Sequence, residues 1–97
     1  MEWDNLRYFL ELSRAGKLIV AARRLGVDHT TVARRVQALE KSLDTPLFMR
    51  SPTGYSLTEA GRNLLPQAEA MESAFTAIEQ ARLGHKDSLS GQVRIGV

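Results

Sequence analysis

Two glycines ten residues apart, Gly16 and Gly26, most constrain what this chain can become. Between them, Leu18, Ala21, Ala22 and Leu25 recur at i, i+3, i+4 and i+7, the spacing of one helical face. Gly26 breaks that helix, so Leu18 to Arg24 forms a short one. A second periodic run starts at once. Asp28 is a good N-cap, and Val32, Val36, Leu39 and Leu43 follow at steps of four, three and four, which makes a single buried stripe. A short helix, the turn Gly26-Val27 and a longer helix are what a helix-turn-helix needs, with the second helix held out from the body by the first.

The face of this third helix opposite its stripe carries Thr30, Arg34, Gln37 and Lys41, with His29, Thr31 and Ala33 near the leading end. Upstream, Asp4 is read as the cap of a first helix with Leu6, Phe9, Leu10 and Ser13 on one stripe and Gly16 as its stop. Trp3 is read as a staple just before that cap. After Pro46 the pattern changes to Leu47 to Arg50, the turn Ser51-Pro52-Thr53-Gly54, and Tyr55 to Leu57, which predicts a two-stranded hairpin.

Thr58 is the expected cap of a last, long helix. Its positions Leu64, Ala68, Met71, Phe75, Ile78 and Arg82 alternate steps of four and three, a heptad-like seam that wants a partner helix. Pro66 falls about two turns in and predicts a bend. Gly84 is read as the stop, Lys86 to Gly91 as a polar linker, and Gln92 to Val97 as the start of a strand. The organisation expected is a head over 1–57, a pairing helix over 58–84 and a hinge with a first strand over 85–97.

Size and charge exclude much. A chain of 97 residues supports one core and leaves no room for two full domains, which argues against a deep substrate cleft. The longest apolar run is five residues, Leu18 to Ala22, against the roughly 20 that a membrane helix requires. The acidic N-terminus lacks the layout of a secretory signal, so a cytoplasmic protein is expected. There is no cysteine, hence no disulfide and no thiolate metal site. The net charge of +2 is too small to indicate a partner, but it is unevenly placed. Lys17 to Arg50 holds seven basic residues against three acidic ones, while from Thr58 onward there are four against five.

The basic segment suits nucleic acid. His29, Thr30 and Arg34 can exchange hydrogen bonds with base edges, and Arg34 is the strongest single candidate because a bidentate arginine reads guanine. Lys17, Arg23, Arg24, Thr31, Arg35 and Lys41 are read as phosphate partners, where reach and charge suffice. Each has a plainer reading. Basic residues on a helix often form only a solvated face, and His29 alone is read as a surface or capping residue, far in sequence from His85 and without metal-ligand spacing. No phosphate loop precedes a helix, and Ser13, Ser42, Ser51 and Ser56 have no adjacent base. Neither an enzyme nor a metal or cofactor in this segment is expected. A hydrolase using His29 finds no partner for it. The competing reading is a helical dimerisation module whose helix-turn-helix and hairpin contact protein rather than DNA.

These residues resemble the N-terminal domain of LysR-type transcriptional regulators. The resemblance rests on Leu6-Arg7-Tyr8-Phe9, Ala21-Ala22 with Leu25-Gly26-Val27, Thr31 to Val36, Leu39-Glu40, Pro46 to Arg50 and Leu57 to Gly61. It runs from about Asp4 to Val97. It implies a mainly α fold, a winged helix-turn-helix of three helices and a two-stranded wing, followed by a long dimerisation helix. It further implies that His29, Thr30, Ala33 and Arg34 read bases in the major groove of double-stranded DNA, with a wing including Arg50, Ser51 and Thr53 at the minor groove. The long helix, through Leu64, Ala68, Met71, Phe75 and Ile78, would build a homodimer on an inverted repeat, assembled into a tetramer in the full-length protein. RNA polymerase is a further implied partner, and a small-molecule effector would bind a larger domain of which Val93 to Val97 resembles the first strand. Four positions depart from the family pattern. Lys17 stands in place of a capping serine, Ile19 in place of a small hydroxyl residue, Ala33 in place of a serine and Thr53 in place of a wing arginine. The last predicts weaker minor-groove attraction.

Overall fold

The computed structural model describes residues 2–90, with side chains described through Arg82. Its order is α1 (Trp3–Ala15), α2 (Leu18–Leu25), α3 (His29–Leu43), β1 (Phe48–Ser51), β2 (Gly54–Leu57) and α4 (Glu59–Ser90). The strands pair antiparallel, Phe48 opposite Leu57 and Ser51 opposite Gly54. These are the helices, hairpin and long last helix that the periodicity and turn residues predict, in the winged helix-turn-helix arrangement that the family resemblance implies.

The apolar stripes meet in two adjoining clusters. Leu6, Phe9, Leu10, Leu39, Leu47 and Ala68 form one, and Leu12, Ala21, Ala22, Val32 and Val36 form the other. Phe48 packs against both, with its ring 5.4 Å from that of Phe9 and edge-on to Tyr55 at 6.1 Å. The first strand of the wing is thereby anchored between the two halves of the core. Burying each large apolar side chain here contributes about 1.5–3 kcal/mol.

Several local expectations are corrected. α1 begins at Trp3, so Asp4 lies in its first turn and Glu2 takes the cap position without a side-chain bond. Trp3 is therefore helical rather than a staple ahead of the cap. It packs on the core and meets the Phe75 ring at 5.7 Å. Asp28 does stand at the cap of α3, but its carboxylate makes no capping bond. Leu43, placed on the buried stripe, is exposed at the last turn. Thr58 caps α4 as expected, its hydroxyl accepting from the Gly61 amide at 3.1 Å and donating to the Pro46 carbonyl at 2.8 Å. α4 then runs unbroken through Pro66 and through Gly84 to Ser90. Glycine costs a helix interior only about 1 kcal/mol, so Gly84 is no stop and Lys86 to Ser90 is helix rather than linker. The expected strand at Gln92 to Val97 lies outside the described residues.

The pairing seam also divides. Leu64 and Ala68 pack into the chain's own head, Ala68 being 1% exposed, because α4 begins close against the core. At Gly61 a Cβ would overlap the Leu47 carbonyl oxygen, so only glycine lets the helix lie there. Beyond Ala68 the stripe emerges, with Met71, Phe75 and Ile78 exposed.

Candidate nucleic-acid interface

The leading end of α3 is held by its own turn. The Thr31 and Val32 amides donate to the Asp28 carbonyl at 3.0 and 3.3 Å, and Val32, Val36 and Leu39 pull one side of the helix into the core. Geometry then dictates the rest. Thr30, Arg34, Gln37 and Lys41, spaced four, three and four, stay exposed along a single face, and His29 is exposed at its start. Thr31 and Ala33 are half-buried at its flanks.

The two adjacent arginines part company. Arg34 is exposed and, among the described residues, has no carboxylate within ion-pair distance. Arg35 turns back to α1. It donates to Asn5 Oδ1 at 3.2 Å, lies 3.7 Å from the Glu2 carboxylate and sits 5.6 Å from the centre of the Tyr8 ring. It braces α3 against α1, so the cation expected on phosphate is committed within the chain. Arg24 is partly committed too, 3.9 Å from Glu11. Lys17, Arg23 and Lys41 are exposed and have no such neighbour among the described residues.

The wing completes the surface. An open cleft of about 650 Å³ lies between it and the starts of α2 and α3, lined by Lys17, Ile19 and His29 on one side and Arg50, Thr53 and Tyr55 on the other. Ile19 is 61% exposed there. The Ser51 hydroxyl donates to the Gly54 carbonyl and lies 3.1 Å from the Thr53 hydroxyl, which tightens the tip. Arg50 extends over the Tyr55 ring at 5.8 Å. The wing's position is set by a bond from the Tyr55 amide to the Gly16 carbonyl, 2.7 Å long. The approach is so close that a Cβ at Gly54 would overlap that oxygen.

One positioning residue has no assigned role in the sequence reading. The Glu40 carboxylate accepts from the Leu47 amide at 2.7 Å and the Phe48 amide at 3.2 Å, and so ties the far end of α3 to the root of the wing. The signal for it lies in the chain that follows, where Pro46 opens an extended segment whose first amides need an acceptor.

On the other flank, Arg14 of α1 grips Glu72 of α4 through two bonds, Nη1 to Oε2 at 3.0 Å and a second, shorter one at 2.6 Å. Those hydrogen bonds hold the Glu72 carboxyl below its ordinary range and the Arg14 guanidinium above its own. Among the described residues no three His, Cys, Asp or Glu side chains gather as metal ligands, and no helix is long and apolar enough to cross a membrane.

Residues 3–62 match the bacterial regulatory helix-turn-helix protein family, lysR family. The chain belongs to the lysR family. This lysR-family chain is 38% identical over 97 residues to the HTH-type transcriptional regulator TfdS of Cupriavidus pinatubonensis, covering 99% of the chain and 32% of the relative. It is 35% identical to the HTH-type transcriptional regulator BudR of Klebsiella aerogenes, covering 100% and 68%. Among solved structures it is similar to the DBD of CbnR in its complex with DNA, with TM-score 0.75, 36% identity, and coverage of 88% of this chain and 99% of that one. Oxidised OxyR of Corynebacterium glutamicum superposes with TM-score 0.85 at 27% identity, covering 91% and 27%. The chain thus spans about a third of the length of TfdS.

Proposed function

We propose that this chain is the DNA-binding part of a sequence-specific transcriptional regulator. α3 enters the major groove, His29, Thr30, Ala33 and Arg34 face base edges, and Lys17, Arg23, Thr31 and Lys41 meet phosphates. The wing, through Arg50, Ser51 and Thr53, lies at the minor groove. The observation that carries this reading is the exposed α3 face, whose cations lack carboxylate partners among the described residues while the wing borders its leading end. The similarity to CbnR, solved with DNA, supports it. Arg35 acts mainly as a brace and Arg24 as a weaker phosphate contact, since both already have partners.

The exposed outer stripe Met71, Phe75 and Ile78 pairs two copies into a homodimer that reads an inverted repeat, with tetramers in the full-length protein. Ile78→Glu, at a side chain 65% exposed, then gives monomers in sedimentation while the fold is kept. A retained dimer places pairing elsewhere. The whole regulator acts in the cytoplasm, takes a small-molecule effector in a domain after α4, and engages RNA polymerase. No enzymatic step is assigned to it.

In vitro selection from random duplex tests the reading. Enrichment of an inverted repeat, with half-sites about one helical turn apart or a multiple of it, is the expected result. Recovery of no motif contradicts it.

A further inference from the structure

Past Ala68, two described contacts hold α4 to the head. One is the paired bond between Arg14 and Glu72, with distances of 3.0 and 2.6 Å. The other is the Trp3 ring against Phe75, 5.7 Å between centres. Glu72 and Phe75 are three residues apart in sequence and so neighbours on one helix face. Arg14 and Trp3 lie at opposite ends of α1, which is 13 residues and about 18–20 Å long. α4 therefore meets α1 at two separated points, and a helix held at two points along a rigid neighbour cannot swing about either one. An arginine that grips a carboxylate with two parallel bonds also fixes direction as well as distance.

A simple anchoring role for the core would not call for this. Leu64, Leu65 and Ala68 already attach α4 to the head, and Ala68 is sealed at 1% exposure. The two outer contacts extend the rigid part of α4 by almost two turns, into the exposed stripe as far as Phe75. What they govern is the angle at which the head is carried.

We infer that Arg14 and Glu72, assisted by Trp3 and Phe75, are positioning residues that set the separation of the two DNA half-sites the dimer accepts. The inference rests on the DNA-binding dimer proposed above. In such a dimer the two α4 helices form the axis, and the angle of each head on its helix fixes the distance and phase between the two α3 helices. DNA imposes a strict requirement on that phase, because one extra base pair rotates a half-site by about 34° and moves it about 3.4 Å. A loosened clamp widens the range of angles. Affinity for one half-site stays as it was, because no DNA-facing residue has changed.

The test uses the 97-residue chain and duplexes carrying two copies of a selected half-site at a series of centre-to-centre separations, with a single half-site duplex as control. The wild-type chain is expected to prefer one separation. Arg14→Gln and Glu72→Gln should each flatten that preference by about two- to five-fold, the scale that a well-formed surface ion pair supports, and leave single-site affinity unchanged. The exchanged pair, Arg14→Glu with Glu72→Arg, should restore part of the preference, which a general loss of folding would not allow. A wild-type profile with no preferred separation, or variants whose profile matches the wild type, overturns the inference while the DNA-binding reading stands. Failure of the wild-type chain to bind the single half-site duplex overturns both.

Discussion

Most of the described cations fall into two populations, apart from Arg24 and Arg35, which also lie near carboxylates, and Arg62, which donates to the Leu57 carbonyl. On α1 and α4, Arg7 pairs with Asp4 at 3.2 Å, Arg14 with Glu72 and Arg82 with Glu79 at 3.0 Å. On α2, α3 and the wing, Lys17, Arg23, Arg34, Lys41 and Arg50 are exposed and have no carboxylate within ion-pair distance among the described residues. A count of arginines misses this difference, since both regions contain them in similar number. A surface cation already paired within the chain gains little from a second anion, whereas an unpaired one exchanges only water and salt for a phosphate. The proposed DNA contacts draw on the unpaired population. The cleft between the wing and the starts of α2 and α3, lined by Lys17, His29 and Arg50, lies within that region.

The sharpest way to break this division is to compare the neighbours Arg34 and Arg35. Arg34→Ala should cost about 1–3 kcal/mol of discrimination between a selected duplex and a scrambled one, measured by competition binding. Arg35→Ala should leave discrimination intact and lower unfolding stability by about 1 kcal/mol, seen in a urea titration. Equal losses of discrimination from both would erase the distinction. Next in size, Arg23→Ala or Lys41→Ala should weaken binding to all sequences alike and reduce the slope of log affinity against log salt by about one.

The paired population offers smaller effects. Because Glu72 titrates at lower pH folded than unfolded, its pair with Arg14 contributes stability above the ordinary carboxylate range. That contribution disappears as pH falls through the lowered folded value. Both side chains are more than a third exposed, so the contribution stays under about 1 kcal/mol. Stability measured against pH should show this acid loss in the wild type and not in Glu72→Gln. Smallest of all, Arg7→Ala and Arg82→Ala should change DNA affinity little and stability by within about 0.5 kcal/mol.

The sequence disclosed what periodicity and turn residues control. Val32, Val36 and Leu39 marked the inner side of α3 and so left Thr30, Arg34, Gln37 and Lys41 outside. The Pro52 and Gly54 turn marked the wing. It did not disclose what depends on distant partners. Arg34 and Arg35 look alike in sequence because the groups that capture Arg35 lie about thirty residues away, at Glu2, Asn5 and Tyr8. Likewise, the seam from Leu64 to Ile78 keeps one period throughout, and nothing in that period marks where the head's core ends. Only packing separates Ala68 from Met71. Glu40 belongs with these, since its two amide partners at the wing root become neighbours only after the chain has turned through Pro46.

The most direct test of the account is the affinity of the wild-type chain for duplex DNA as salt is raised. If Lys17, Arg23 and Lys41 meet phosphates, log affinity should fall against log salt with a slope of about −3 per head, and neutralising Arg7 and Arg82 together should leave that slope in place. A slope near zero, or one that the double substitution Arg7→Ala with Arg82→Ala reduces as much as Arg23→Ala with Lys41→Ala does, would contradict it.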